Sequence, residues 1–240
     1  MVINKPAGLV CHPSKDGPRS SVIGRVRLYL GHDEGRLVNR LDRETSGVVL
    51  IARGAGVAGE LGRLFSTGVV QKTYAAIVHG LVAPGPMTVV APLGRDERSE
   101  VAIKDCVRSD GAHAETEISS QQTLAVGEEP FSLLEVRPRS GRKHQIRIHL
   151  AHIGHPIVGD KLYGLDEQFY LRLVRNELSD ADRAALILRN HALHAERLVF
   201  SWRGETRAFD APRGAEFSDF VAAGSRLAPD SEFSRAATSE

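Results

Sequence analysis

From residue 87 to residue 137 the chain passes through one short, strand-like run after another, with no helical stretch between them. Turn signals separate the runs, "SDG" at 109–111 and "GEEP" at 127–130, and "FSLLEVRP" closes the region as a further strand. Strands joined this tightly pair antiparallel, because a parallel neighbour needs a crossover of a dozen or more residues. The flanks fit around such a sheet. "VINKPAGLVCHP" reads as a short strand ending in a Pro/Gly turn, "GVVLIAR" as a buried strand, and "VVQKTYAAIVHG" as an alternating strand with Lys72, Tyr74, Ala76 and Val78 on one face. "SVIGRVRLYLG" predicts a helix stopping at Gly31, and "GVAGELGRLFSTG" a second short one. "KHQIRIHLAHIG" predicts a helix that buries Ile146, Leu150 and Ile153 and ends at Gly154. Residues 166–190 read as helical, with Ser179 capping the second piece, and "HAERLVFSWRGETRAFDAP" as a closing hairpin. The expectation is one α+β domain with a mainly antiparallel sheet flanked by helices. Residues beyond about Gly214, rich in Ala, Ser and acids, read as a frayed or disordered tail.

Charge narrows the partners. The net +1 hides an asymmetry: residues 214–240 carry five acids and two arginines, which leaves the body at +4, and arginine outnumbers lysine 25 to six. The stretch 137–159 holds Arg137, Arg139, Arg142, Lys143, Arg147 and four histidines with no acid. A solvated basic face and a phosphate-rich partner both fit it. No apolar run is long enough to span a bilayer and the N-terminus has no signal-peptide pattern. Cys11 and Cys106 offer neither a disulfide framework nor zinc spacing, so a reducing cytoplasm is expected.

Several constellations fail on inspection. Gly54, Gly56 and Gly59 spell G-x-G-x-x-G after a strand, but no acid stands about 20 residues on to hold a ribose. His144, His149, His152 and His155 lack the H-E-x-x-H pattern, and Lys143 and Arg147 among them repel a cation; they read as helix-surface or RNA-facing residues. Cys11 and His12 are neighbours on a strand and point to opposite faces. There remains "NRLDRETSGVVL", where Asp42 stands between Arg40 and Arg43 beside Thr45, Ser46 and Gly47. A turn explains those residue types. So does a single working carboxylate with arginine and tyrosine near it, which suits covalent or nucleophilic catalysis.

Three stretches together resemble the RluA-type pseudouridine synthases. "NRLDRETSGVVLIA" resembles that family's H-R-L-D-x-x-T-S-G loop, and "QKTYAAIVHG" its K-x-Y-x-A-x-V-x-G strand. "SGRKHQIRIHLAHIGHPIVGDKLYG" resembles its long T-G-R-T-H-Q-I-R-x-H-L-A-x-x-G-H-P-I-x-G-D-x-x-Y-G segment. "VINKPAGLVCHP" and "ALHAERLVF" fall where the family has such stretches, and the likeness covers about residues 2 to 213. Asn39 stands where the family has His, and Lys143 where it has Thr; altered RNA contacts are expected from both. The chain begins at the "NKPAG" strand, which reads as the short form without an N-terminal RNA-binding module, or as a late start site.

The resemblance implies a catalytic domain over residues 1–213 that isomerises uridine to pseudouridine in structured rRNA or tRNA, as a cytoplasmic monomer needing neither cofactor nor metal. It implies base flipping, at a cost of a few kcal/mol. Asp42 would be the nucleophile or a base, Arg147 its ion-pair partner, and Tyr74 a stacking platform. Arg40 would fill the gap left by the base or hold a phosphate. Arg142, Lys143, His144 and Lys72 would contact RNA, and Thr45, Ser46 and Gly47 would shape the loop. Two rivals stay open: a non-catalytic RNA-binding or assembly protein of the same fold, and a metal-dependent nuclease.

Overall fold

The computed structural model describes residues 1–13 and 17–227. In chain order the strands are β1 (Val2–Lys5), β2 (Gly35–Leu37), β3 (Ser46–Arg53), β4 (Gln71–His79), β5 (Pro86–Val90), β6 (Leu93–Arg95), β7 (Asp105–Val107), β8 (Glu115–Val126), β9 (Glu129–Pro138), β10 (Leu193–Trp202) and β11 (Glu205–Asp210). The α-helices are α1 (Val22–Leu30), α2 (Ala55–Ser66), α3 (Gln145–His152), α4 (Gln168–Arg175), α5 (Asp180–Leu186) and α6 (Ala215–Leu227). Nine strands make one sheet in the order β1-β3-β10-β4-β9-β8-β5, with β2 on β3 and β11 on β10, while β6 and β7 form a separate ribbon. The α+β expectation and the run of antiparallel strands through 87–137 hold. Among the described residues no helix is long and apolar enough to cross a membrane.

One pairing breaks the antiparallel rule, and it positions the site. β10 runs parallel to β3 for only two pairs, His194 with Ser46 and Ala195 with Gly47. Beyond them β10 shifts register on β4 between Ala195 and Arg197 and takes β11 as its outer partner. The sheet therefore forks at the start of β3, where the 39–47 loop enters. Gly47 makes the fork possible. Its φ is +115°, and a Cβ there would lie 2.2 Å from the Ala195 carbonyl oxygen, closer than any side chain can stand.

The core straddles the middle of the sheet. Ala75, Ala76, Ile77 and Val78 are all buried, because β4 is central and covered on both faces. The alternation in "QKTYAAIVHG" marks the two faces of this strand but not a wet and a dry side. Helix α1 ends as expected, with Gly31 left-handed at φ 72°. Ser179 caps α5 in a full capping box with Asp182. Ser179→Ala should cost about 1 kcal/mol, read as a melting point lower by about 2–4 °C.

The tail reading needs correction. Residues 215–227 form α6, and Phe217 and Phe220 are buried in the main core. The Phe220 ring meets Phe131 edge-on at 5.2 Å. Two aromatic side chains three residues apart supply a buried helix face that the Ala/Ser-rich composition concealed. The rest of the predicted tail, 228–240, lies outside the described residues.

Candidate active site

The 39–47 loop is fixed from below at nearly every residue. Asn39 spends its whole amide on β3, donating to the Val48 carbonyl (3.1 Å) and accepting from the Leu50 N–H (2.8 Å). It braces the loop from the wall of the cleft described next. The Cys11 thiol, 5% exposed, exchanges 3.4 Å hydrogen bonds with the N–H and carbonyl of Leu41. Lys5 is wholly buried, and its Nζ donates to the carbonyls of Pro6, Leu9 and Arg43 at 2.8–3.0 Å. Such a cluster of acceptors is what a buried ammonium requires. Glu44 takes a 2.9 Å bond from Lys161, whose Nζ also donates to the Arg189 carbonyl at 2.7 Å. Thr45 bonds His191 (2.7 Å) and Ser46 bonds His194 (2.8 Å). Thr45, Ser46 and Gly47 thus tie the loop to the chain at 191–195.

Above this base lies a cleft of about 490 Å³ whose wall includes Arg40, Asp42, Lys72, Tyr74, Arg142, Lys143, His144 and Arg147. Every residue to which the resemblance assigns catalysis or RNA contact lines this one space. Arg40 and Asp42 reach it from the loop, Tyr74 and Lys72 from β4, and the rest from α3 and the turn before it. Gln145 builds that turn. Its Oε1 accepts from Ser140 Oγ and the Arg142 N–H, and its Nε2 donates to the Glu115 carbonyl and Thr116 Oγ1, all at 2.8–3.0 Å.

Arg147 is the hinge of the electrostatics. Its Nη1 donates to Asp42 Oδ2 at 2.9 Å. Its Nε and Nη2 fork onto Asp160 at 2.6 and 2.8 Å, and Tyr163 lies under the guanidinium at 4.9 Å. Asp160 is 1% exposed and also accepts the backbone N–H groups of Leu162 (2.9 Å) and Tyr163 (3.0 Å). Burial pushes the Asp42 pKa upward, but the charged, hydrogen-bonded Arg147 is the chief influence that overcomes it, so the carboxyl is held below its ordinary 3.8. Asp42 is an anion at neutral pH with 29% of its side chain open to the cleft. Burial, with the Asp42 charge adding to it, drives the Tyr74 phenol far above its ordinary 10. The Tyr74 phenol therefore keeps its proton at neutral pH.

Of the four histidines read as helix-surface or RNA-facing, His152 is exposed on α3 and His144 lines the cleft, while His149 departs from the reading. His149 is wholly buried, donating from Nε2 to the Ala91 carbonyl (2.9 Å) and bonded to Thr116 through Nδ1. His144 is only 11% exposed, and burial brings its pKa down to about 4. Neither is a helix-surface residue, and a neutral His144 offers no charge to a phosphate. Among the other cations, Arg40 is exposed on the rim, Lys72 donates to the Ser140 carbonyl (2.9 Å), and Arg142 Nε to the His113 carbonyl (3.0 Å). Lys143 pairs with Asp105 at 2.9 Å, its side chain 48% exposed. A half-exposed pair is worth little, so a phosphate can compete for this lysine.

Sequence reading missed Asp160, Tyr163, Lys5 and the Glu44–Lys161 pair. The one signal for them was their place inside or beside the quoted motifs, "VGDKLYG" and "VINKPAG". Among the described residues no group of three His, Cys, Asp or Glu side chains converges as a metal site.

His144, His149, His191 and His194 are all held below their ordinary 6.5, first by burial, with His191 at about 3. The unfolded chain takes up protons as pH falls through 6.5, while the folded chain resists until about 4 or 3 for His144 and His191. Stability should be full above about pH 6.5 and decline on the order of 1 kcal/mol per pH unit for each such histidine below it. Asp42 and Asp160, whose pKa values are depressed, add their loss only below 3.8. Melting curves from pH 8 to pH 4 test this, and a flat melting point down to pH 4.5 would contradict it.

Known proteins share this sequence pattern and this fold. The sequence model of the RNA pseudouridylate synthase family matches residues 1–152. An uncharacterized RNA pseudouridine synthase of Chloroflexus aurantiacus is 39% identical over 184 residues, covering 74% of this chain and 56% of that protein. Ribosomal large subunit pseudouridine synthase D of Xanthomonas campestris pv. campestris is 34% identical over 204 residues, covering 83% of this chain and 58% of the relative. The chain thus spans a little over half the length of these two relatives. Among solved structures, human RNA Pseudouridylate Synthase Domain Containing 4 superposes with a TM-score of 0.67 at 25% identity, covering 92% of this chain and 88% of that one. Motifs, fold and relatives agree, and the chain belongs to the RNA pseudouridylate synthase family.

Proposed function

We propose that the protein isomerises specific uridines to pseudouridine in structured RNA. The C1′–N1 bond breaks, the uracil turns, and its C5 is joined to C1′; the C5 proton leaves to solvent and N1 takes one up. Nothing is oxidised, so the reaction calls for no cofactor. The observation that carries the reading is the ionised, cleft-facing Asp42 held by Arg147, with Tyr74 in the same wall. Asp42 acts at the ribose or the uracil ring, as nucleophile or base, on a uridine flipped out of its helix. Tyr74 stacks on the base. Arg40 fills the vacated position or holds the adjacent phosphate, and Lys72, Arg142 and Lys143 contact the RNA backbone. The catalytic unit spans residues 1–213 together with α6, and it works in the cytoplasm.

The test uses transcripts carrying tritium at uracil C5. Because relatives are named for the ribosomal large subunit, large-subunit rRNA is assayed first and tRNAs second. Tritium release in EDTA is expected, and a metal-dependent nuclease would fall silent there. No release from any transcript, with RNA still bound, would make the protein a binding or assembly factor.

A further inference from the structure

His144 is held in an unusual way for a residue of a basic loop. It sits just before α3 with φ at 56°, in the left-handed region that few non-glycine residues enter. Its Nδ1 lies 2.9 Å from the Tyr163 hydroxyl oxygen, and its Nε2 faces the cleft, 3.9 Å from Asp42 Oδ2. The Tyr163 oxygen already accepts the Asp105 backbone N–H at 3.1 Å. The phenolic hydrogen of this buried tyrosine needs an acceptor of its own, and His144 Nδ1 is the atom within reach. That bond leaves Nδ1 bare and puts the imidazole proton on Nε2. Burial raises the Tyr163 pKa well above its ordinary 10, so the phenol keeps its proton for this purpose.

We propose that His144 is a catalytic hydrogen-bond donor, its Nε2–H fixed by the Asp105–Tyr163 relay and aimed at a carbonyl oxygen of the flipped uracil. The inference rests on the synthase reading and adds a group that touches the base. When the C1′–N1 bond breaks, its electron pair passes to the uracil and spreads over N1 and the ring oxygens. A preorganised N–H at one of those oxygens stabilises that charge. His144 gains and loses no proton in the step. Its neutrality is essential, since a charged imidazole would pair with Asp42 and blunt the carboxylate.

Two measurements test this. Nitrogen-15 NMR of the wild-type rings at pH 7 should show His144 protonated on Nε2 and bare on Nδ1; an Nδ1–H form or a doubly protonated ring overturns the proposal. The second compares His144→Asn with His144→Gln in single-turnover tritium release and RNA binding. Asn suits a left-handed backbone and can accept from Tyr163 but ends short of Nε2, so its rate should fall about 100-fold with RNA affinity within about threefold. Gln carries an amide N–H out to the Nε2 position and should recover about tenfold of that loss. A rate for Asn within about threefold of wild type, or equal losses for Asn and Gln, overturns the donor role. If wild type itself releases no tritium, the synthase reading falls, and the NMR result still decides the tautomer.

Discussion

Asp42→Asn protein should bind its RNA at least as tightly as wild type and release no measurable tritium from it. The substitution is nearly isosteric. Arg147 Nη1 can donate to an amide oxygen as it does to Asp42 Oδ2, and the braces at Asn39, Leu41 and Thr45 do not involve the Asp42 side chain. The fold should survive. What disappears is the anion, and an amide is neither nucleophile nor base at neutral pH. Loss of the group that makes or breaks the bond costs on the order of 10⁴-fold or more in rate. Affinity should move the other way, because one negative charge leaves the cleft proposed to receive the RNA backbone. A variant keeping a hundredth of the wild-type rate would remove Asp42 from the chemistry.

Asp160→Ala should give the largest loss of stability. Arg147 is almost wholly buried, and Asp160 takes two of its three hydrogen-bonding nitrogens while also accepting two backbone N–H groups. Removing one partner of a buried pair costs about 3–5 kcal/mol, since the remaining charge is stranded. In a chain of this size that lowers the melting point by about 6–20 °C. Arg147 would then be held through Asp42 alone, so turnover should fall further than RNA affinity. Calorimetry and single-turnover kinetics read the two effects. A melting point within 2 °C of wild type would mean that the cleft rehydrates and shelters Arg147 without Asp160.

The order of strands and helices was legible because hairpin turns, caps and apolar periods are local signals. Gly31, Ser179 and the "GEEP" turn mark their elements within a few residues of sequence. The Asp42 loop and Arg147 were legible only through motif resemblance, since 105 residues separate the two side chains that meet. Asp160 stayed hidden because a Gly-Asp pair looks like any turn. Nothing local announces that this aspartate lies buried under an arginine 13 positions earlier. His149 was misjudged, and Lys5 passed over, for the same reason: a polar side chain reads as exposed until the acceptors that bury it are known. Helix α6 was the avoidable miss, for Phe217, Phe220, Val221 and Gly224 recur at helical spacing in the sequence itself.

The fork of the sheet governs the order in which the molecule can be completed. Strands β1, β2 and β3 form one half-sheet and β4, β9, β8 and β5 another, and among the described residues only β10 hydrogen-bonds to both. Yet β10 starts at Leu193, long after either half has been made. Asp42 belongs to the first half and Arg147 to the second. A growing chain therefore carries both residues well before it holds them together. The two edges that β10 joins are both complete in sequence before it, so the last strand needed to close the sheet belongs at its middle.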